Sequence, residues 1–95
     1  MAGYRVEPQL SDMGEHVRGW RMVLGLTAQQ VSERAGISRD TLRKIEKGEP
    51  GPSWGNVAQV LRALGILDRV VGSADPLNSD LGRMRAGNLS RKHAR

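Results

Sequence analysis

Residues 26–48 read LTAQQVSERAGISRDTLRKIEKG, from Leu26 to Gly48, and this stretch decides the fold. It spells two short helices joined by a tight turn. Thr27 is a good N-cap, and Gln30 three residues on completes a capping box, which predicts a helix over about 28–35. Gly36 breaks that helix because it accepts the left-handed conformation a sharp turn needs. Ile37 follows as the apolar plug of the turn. Ser38 caps a second helix that runs to about Lys47 and stops at Gly48. On that helix Leu42 and Ile45 are three apart and share an inward face. Arg39, Asp40, Arg43, Lys44 and Lys47 are left on the outside. A short helix with one dry face and one cationic, hydrogen-bonding face suits the major groove of duplex DNA.

The pattern Ser32, Gly36, Ile37, Ser38, Glu46 and Gly48 resembles the helix-turn-helix domain of the lambda and 434 phage repressor and Cro type, the Xre family. The resemblance covers roughly residues 13–66. It implies an all-α, five-helix bundle with the second motif helix as the reading element. It also implies an ion pair between Arg21 and Glu46 that fixes the angle of that helix. The family usually has Ala where Ser32 stands, a harmless change of one small residue for another. It usually has Gln where Ala28 stands. That Gln braces a phosphate, so the clamp is either missing here or moved to Gln29.

Outward from the motif, a first helix is predicted from Ser11 or Asp12, with Met13, Val17, Trp20 and Leu24 as its buried stripe. Gly25 ends it. After Gly48, the run Glu49, Pro50, Gly51, Pro52 makes a rigid loop that lacks the family's usual phosphate-binding cation. A fourth helix is predicted over 54–64, capped by Ser53, with Trp54, Val57, Val60, Leu61 and Leu64 facing inward. A brief fifth helix carries Leu67, Val70 and Val71 and stops at Gly72. By the same resemblance, three exposed aliphatics on a terminal helix imply a homodimer interface. Residues 1–10, with Gly3 and Pro8, show no period and read as an arm that either packs on the surface or touches DNA or a dimer partner.

The organisation expected is therefore an arm over 1–10, a helix-turn-helix domain over 11–72 and a basic segment over 73–95. Leu77, Leu81 and Met84 allow a short amphipathic helix over about 78–86. The remainder reads as a disordered basic tail. Arg83, Arg85, Arg91, Lys92 and Arg95 stand against Asp80 alone, so residues 76–95 hold +4 of the chain's net +5. Three roles stay open for this tail: a solvated end, a phosphate-binding arm, or a dock for a protein. Residues 51–83, GPSWGNVAQVLRALGILDRVVGSADPLNSDLGR, also resemble the C-terminal half of short Xre regulators that accompany HipA-type kinase toxins. That likeness implies an antitoxin that represses its own operon.

Composition narrows the function classes. Ninety-five residues allow one domain with a tail, burying little more than ~60% of the unfolded surface. With no cysteine there is no disulfide and no thiolate metal site, and a reducing cytoplasm fits. No apolar run approaches ~18 residues, and the first residues lack a signal-peptide layout, so no membrane partner is expected. Tyr4, Trp20 and Trp54 are too few, and two of them too core-like in spacing, for a base-stacking platform. Duplex DNA is favoured over single strands. His16 and His93 have no Cys or His at ligand spacing, so no metal or other cofactor is expected. No nucleophile elbow or phosphate loop is present, and an enzyme is not expected.

Two function classes remain: a sequence-specific repressor acting alone, and an antitoxin that holds both operator and toxin. An activator touching polymerase is a third. Candidate DNA contacts are Thr27, Gln29, Ser38, Arg39, Asp40, Thr41, Arg43, Lys44 and Lys47. Arg39 and Arg43, one turn apart, suit guanine edges, and Lys44 and Lys47 suit phosphates. Asp40 either accepts from cytosine N4 or pairs with Arg43 or Lys44.

Overall fold

A computed structural model describes residues 5–93, with side chains as far as Ser90. The N-terminal end of the expected arm, residues 1–4, lies outside the described residues. So do Ala94 and Arg95 and the side chains of Arg91 and Lys92. Every regular element is helical: α1 (Glu7–Val23), α2 (Ala28–Ala35), α3 (Arg39–Glu46), α4 (Trp54–Ala63), α5 (Leu67–Ala74), a 3-10 turn (Pro76–Asn78), α6 (Asp80–Met84) and α7 (Gly87–His93). Among the described residues no helix is long and apolar enough to cross a membrane.

One core serves α1 to α5. Val17, Val31, Leu42, Val60 and Leu61 are essentially sealed, and Ala35, Ile45, Leu64 and Ile66 complete it. α2 packs on α4, and α1 packs on α3. The boundary between α2 and α3 forms as the local chemistry dictates. Gly36 sits at φ 70°, its N–H donates to the Glu33 carbonyl at 3.2 Å, and Ile37 N–H donates to the Ser32 carbonyl at 3.0 Å. That pair of bonds satisfies carbonyls that the helix end would otherwise leave open.

Five helices were expected, and seven α-helices are found among the described residues. α1 starts at Glu7 rather than Ser11, taking the end of the expected arm. Pro8 is tolerated in the first turn, where its missing N–H has no helical partner to lose, and Glu7 suits the positive helix end. α5 runs through Gly72 to Ala74. The helix stops where Pro76 forces Asp75 into extended backbone, at φ −69° and ψ 120°. The segment expected as one helix and a disordered tail instead forms the 3-10 turn, α6 and α7.

The buried face of α1 is rotated from the expected stripe. Gly14 and Val17 are buried, Leu10, Trp20 and Arg21 are half-buried, and Met13 and Leu24 are exposed. The cause is a close helix crossing. A Cβ on Gly14 would stand 2.5 Å from the Glu46 carbonyl oxygen, so α1 lays its backbone directly against the end of α3. Trp54 also departs from its expected inward place and is 68% exposed. It is the first residue of α4, and the inward stripe starts one turn later at Val57.

Candidate nucleic-acid interface

The site begins with two capped helix starts. Thr27 Oγ1 accepts from Gln30 N–H at 3.0 Å, and Gln30 Oε1 accepts from Thr27 N–H at 2.8 Å. Ser38 Oγ accepts from Thr41 N–H at 3.0 Å and donates to Thr41 Oγ1 at 2.9 Å. Both caps hold the first turn of their helix rigid. The caps engage the Ser38 hydroxyl proton but leave the O–H donors of Thr27 and Thr41 free, so a phosphate could be met by these hydroxyls and by the open helix-terminal N–H groups.

Beneath the outer face lies the ion pair implied by the resemblance. Arg21 Nε donates to Glu46 Oε2 at 2.7 Å and its Nη2 to Glu46 Oε1 at 2.9 Å, a bidentate clamp. The two side chains are only 16% and 11% exposed. Arg21 Nη1 also reaches the Leu26 carbonyl at 3.4 Å, tying the end of α1 to the start of the motif. Donating hydrogen bonds to the Glu46 carboxylate raises the Arg21 pKa above its ordinary value, against the effect of burial. With Gly14, about two turns earlier on α1, packed against the backbone of Ile45 and Glu46, α3 is fixed at its far end by two contacts with α1.

The exposed face of α3 carries an intrahelical cluster. Arg43 Nη2 donates to Asp40 Oδ1 at 2.7 Å, and Lys44 Nζ lies 3.4 Å from Asp40 Oδ2. Of the two readings open for Asp40, the structure takes the pairing one. Hydrogen bonds from Arg43 and then Lys44 hold the Asp40 carboxyl below the usual carboxylate range. The same contact raises Arg43. Among the described residues no carboxylate pairs with Arg39 or Lys47.

Between α1 and α3 runs a groove of about 650 Å³ with Arg18, Arg21, Arg39, Arg43 and Lys47 on its walls. Five cations face two carboxylates there, Asp40 and Glu46. The sequence model of the family described as a helix-turn-helix domain matches residues 12–71, well over half of the chain. The chain belongs to the helix-turn-helix domain family. It is also 41% identical over 49 residues to an uncharacterized HTH-type transcriptional regulator of Methanothermobacter thermautotrophicus, a match covering 52% of this chain and 71% of that protein. No solved structure matches the chain.

Within the helix-turn-helix unit, Arg39, Asp40, Arg43 and Lys47 gather on one wall, with Thr27 and Ser38 at the two helix starts. Gln29, the position to which the clamp could have moved, donates from Nε2 to Glu33 Oε2 at 2.7 Å. Arg18 was missed by sequence reasoning. Its spacing of three from Arg21 on one helix is the signal that places it on the same wall. The expected dimer residues divide. Leu67 and Val70 pack partly against the chain's own core, while Val71 is 59% exposed. Of the two tryptophans expected in the core, Trp20 packs against it with the Arg69 guanidinium 5.2 Å from its ring centroid. Exposed Trp54 is a lone indole, which gives successive bases nothing to stack along.

Proposed function

We propose that this chain is a sequence-specific, duplex-DNA-binding transcription regulator, a dimeric repressor that reads the major groove with α3. The observation that carries the reading is the cationic outer face of α3, held at a fixed angle by the half-buried Arg21–Glu46 clamp and bordered by the cationic groove. Family membership and the name of the archaeal relative support a DNA-binding transcriptional regulator. Arg39 and Arg43 reach base edges, Lys47 and Arg18 meet phosphates, and Thr27 and Ser38 present helix starts to the backbone. Val71, with the exposed Leu77 and Leu81 beyond it, supplies the dimer contact.

Selection of bound sequences from a random duplex library tests this. The expected product is a near-palindrome whose half-sites lie about 34 Å apart, one turn of B-DNA. A single enriched half-site bound by a sedimenting monomer defeats the dimer. No enrichment at all defeats the DNA reading.

A second reading, an antitoxin that also represses its operon, is favoured by one observation. Leu77, Leu81, Met84 and Leu89 are exposed on a folded segment that lies beyond the family match. Co-purification with a kinase encoded beside it supports this reading, and its absence from such a complex removes it.

A further inference from the structure

We infer that Asp40 is a specificity-determining residue: it latches Arg43 and Lys44 away from random phosphates while leaving Arg43 able to read a base. The inference rests on the DNA-reading role proposed above and assigns to one carboxylate the separation of specific from non-specific binding. Non-specific affinity for duplex DNA comes from cations that neutralise phosphates and release counterions. Of the three outward cations on α3, two are already engaged by Asp40, at 2.7 Å for Arg43 and 3.4 Å for Lys44. To meet a random phosphate, either side chain must leave the carboxylate. Asp40 would then face the same phosphate array with its charge uncompensated.

Base reading escapes this penalty. The Arg43 guanidinium has five N–H donors, and the contact with Asp40 is made through Nη2. The remaining donors stay available for the paired acceptors of a guanine edge. The side chain is held in one pose before binding, so less rotamer freedom is lost when it docks. A carboxylate that engages one arginine and one lysine on a reading helix thus lowers affinity for every sequence except one that engages the latched pose.

The test compares Asp40→Ala with Asp68→Ala. Asp68 occupies the second position of α5 as Asp40 occupies the second position of α3, and its loss changes net charge equally. Affinity is measured for parent and both variants on the duplex recovered by selection and on a scrambled duplex, at several salt concentrations. Asp40→Ala should bind the scrambled duplex roughly tenfold more tightly near 0.1 M salt, with a salt slope steeper by up to about 1.8 for two added phosphate contacts. The selected duplex should gain much less, so the specificity ratio falls, and Asp68→Ala should leave that ratio unchanged. Equal gains on both duplexes, or an equal effect of Asp68→Ala, overturn the latch. So does loss of affinity confined to the selected duplex, which makes Asp40 a direct base contact instead. Failure of the underlying reading is seen in the parent alone, as no discrimination between the two duplexes, and it takes the latch with it.

Discussion

The bundle α1–α5 and the corner over residues 75–93 are both helical, but different forces hold them. In the bundle, short helices exist because each buries an apolar face: Val31 on α2, Leu42 on α3, Leu61 on α4. In the corner no described side chain is buried, and order comes from local hydrogen bonds. Asp75 Oδ1 accepts from Leu77 N–H at 2.9 Å, Ser79 Oγ accepts from Gly82 N–H at 3.0 Å, and Asn78 Nδ2 donates to the Gly72 carbonyl at 2.6 Å. Arg83 pairs with Asp80 and donates to the Leu77 carbonyl. Helices this short are marginal without tertiary support, so the corner opens far more easily than the bundle.

The sharpest way to break this comparison is a matched truncation. Leu61→Ala, in the sealed core, should cost about 2–5 kcal/mol in urea unfolding. Leu81→Ala, 60% exposed in the corner, should stay within about 0.5 kcal/mol. A large loss from Leu81→Ala would mean that the corner packs on something in solution.

Next in size is the clamp beneath α3. Arg21→Ala leaves the Glu46 carboxylate without its partner and should cost about 3 kcal/mol. Glu46→Ala should cost a similar amount, and the double variant clearly less than the sum, because the second change removes an already orphaned group. Additive melts would show that the two side chains act independently.

Gly14→Ala sharpens the contrast between helix propensity and packing. Propensity alone favours alanine by about 1 kcal/mol. The Cβ, 2.5 Å from the Glu46 carbonyl, should reverse that sign and destabilise by about 1–3 kcal/mol. A rise in melting temperature would place α1 farther from α3 than described.

The smallest global effect belongs to Gly82→Ala. Its Cβ would overlap the Pro76 carbonyl oxygen, so the corner must open. Bundle melting should not change, while amide protection across residues 79–86 disappears in hydrogen exchange. A shift of the main transition would tie the corner to the core.

The legible parts of this molecule are those that a few neighbouring residues decide. Thr27 with Gln30, Gly36 with Ile37, and Ser38 with Thr41 settle caps and turn within one helical turn each. The Arg21–Glu46 pair spans 25 residues and was legible only through resemblance to a family. What periodicity misplaced depends on distant partners. Met13 and Leu24 fit an apolar stripe, yet α1 docks through Gly14, a residue that a hydrophobicity pattern passes over. Leu67 and Val70 looked unclaimed because the core of α4 that receives them lies in another helix. At the candidate site the cations were visible one by one. Their grouping with Arg18 around a groove follows from the crossing of α1 and α3, which no local spacing encodes.

The Gly14 crossing has a thermal consequence. Because the tip of α3 rests on the α1 backbone and its inner face supplies Leu42 and Ile45 to the core, α3 should unfold with the rest rather than ahead of it. Heat should not blur the reading surface gradually. Occupancy of bound DNA should instead fall chiefly within the same few degrees as cooperative unfolding, following the folded fraction.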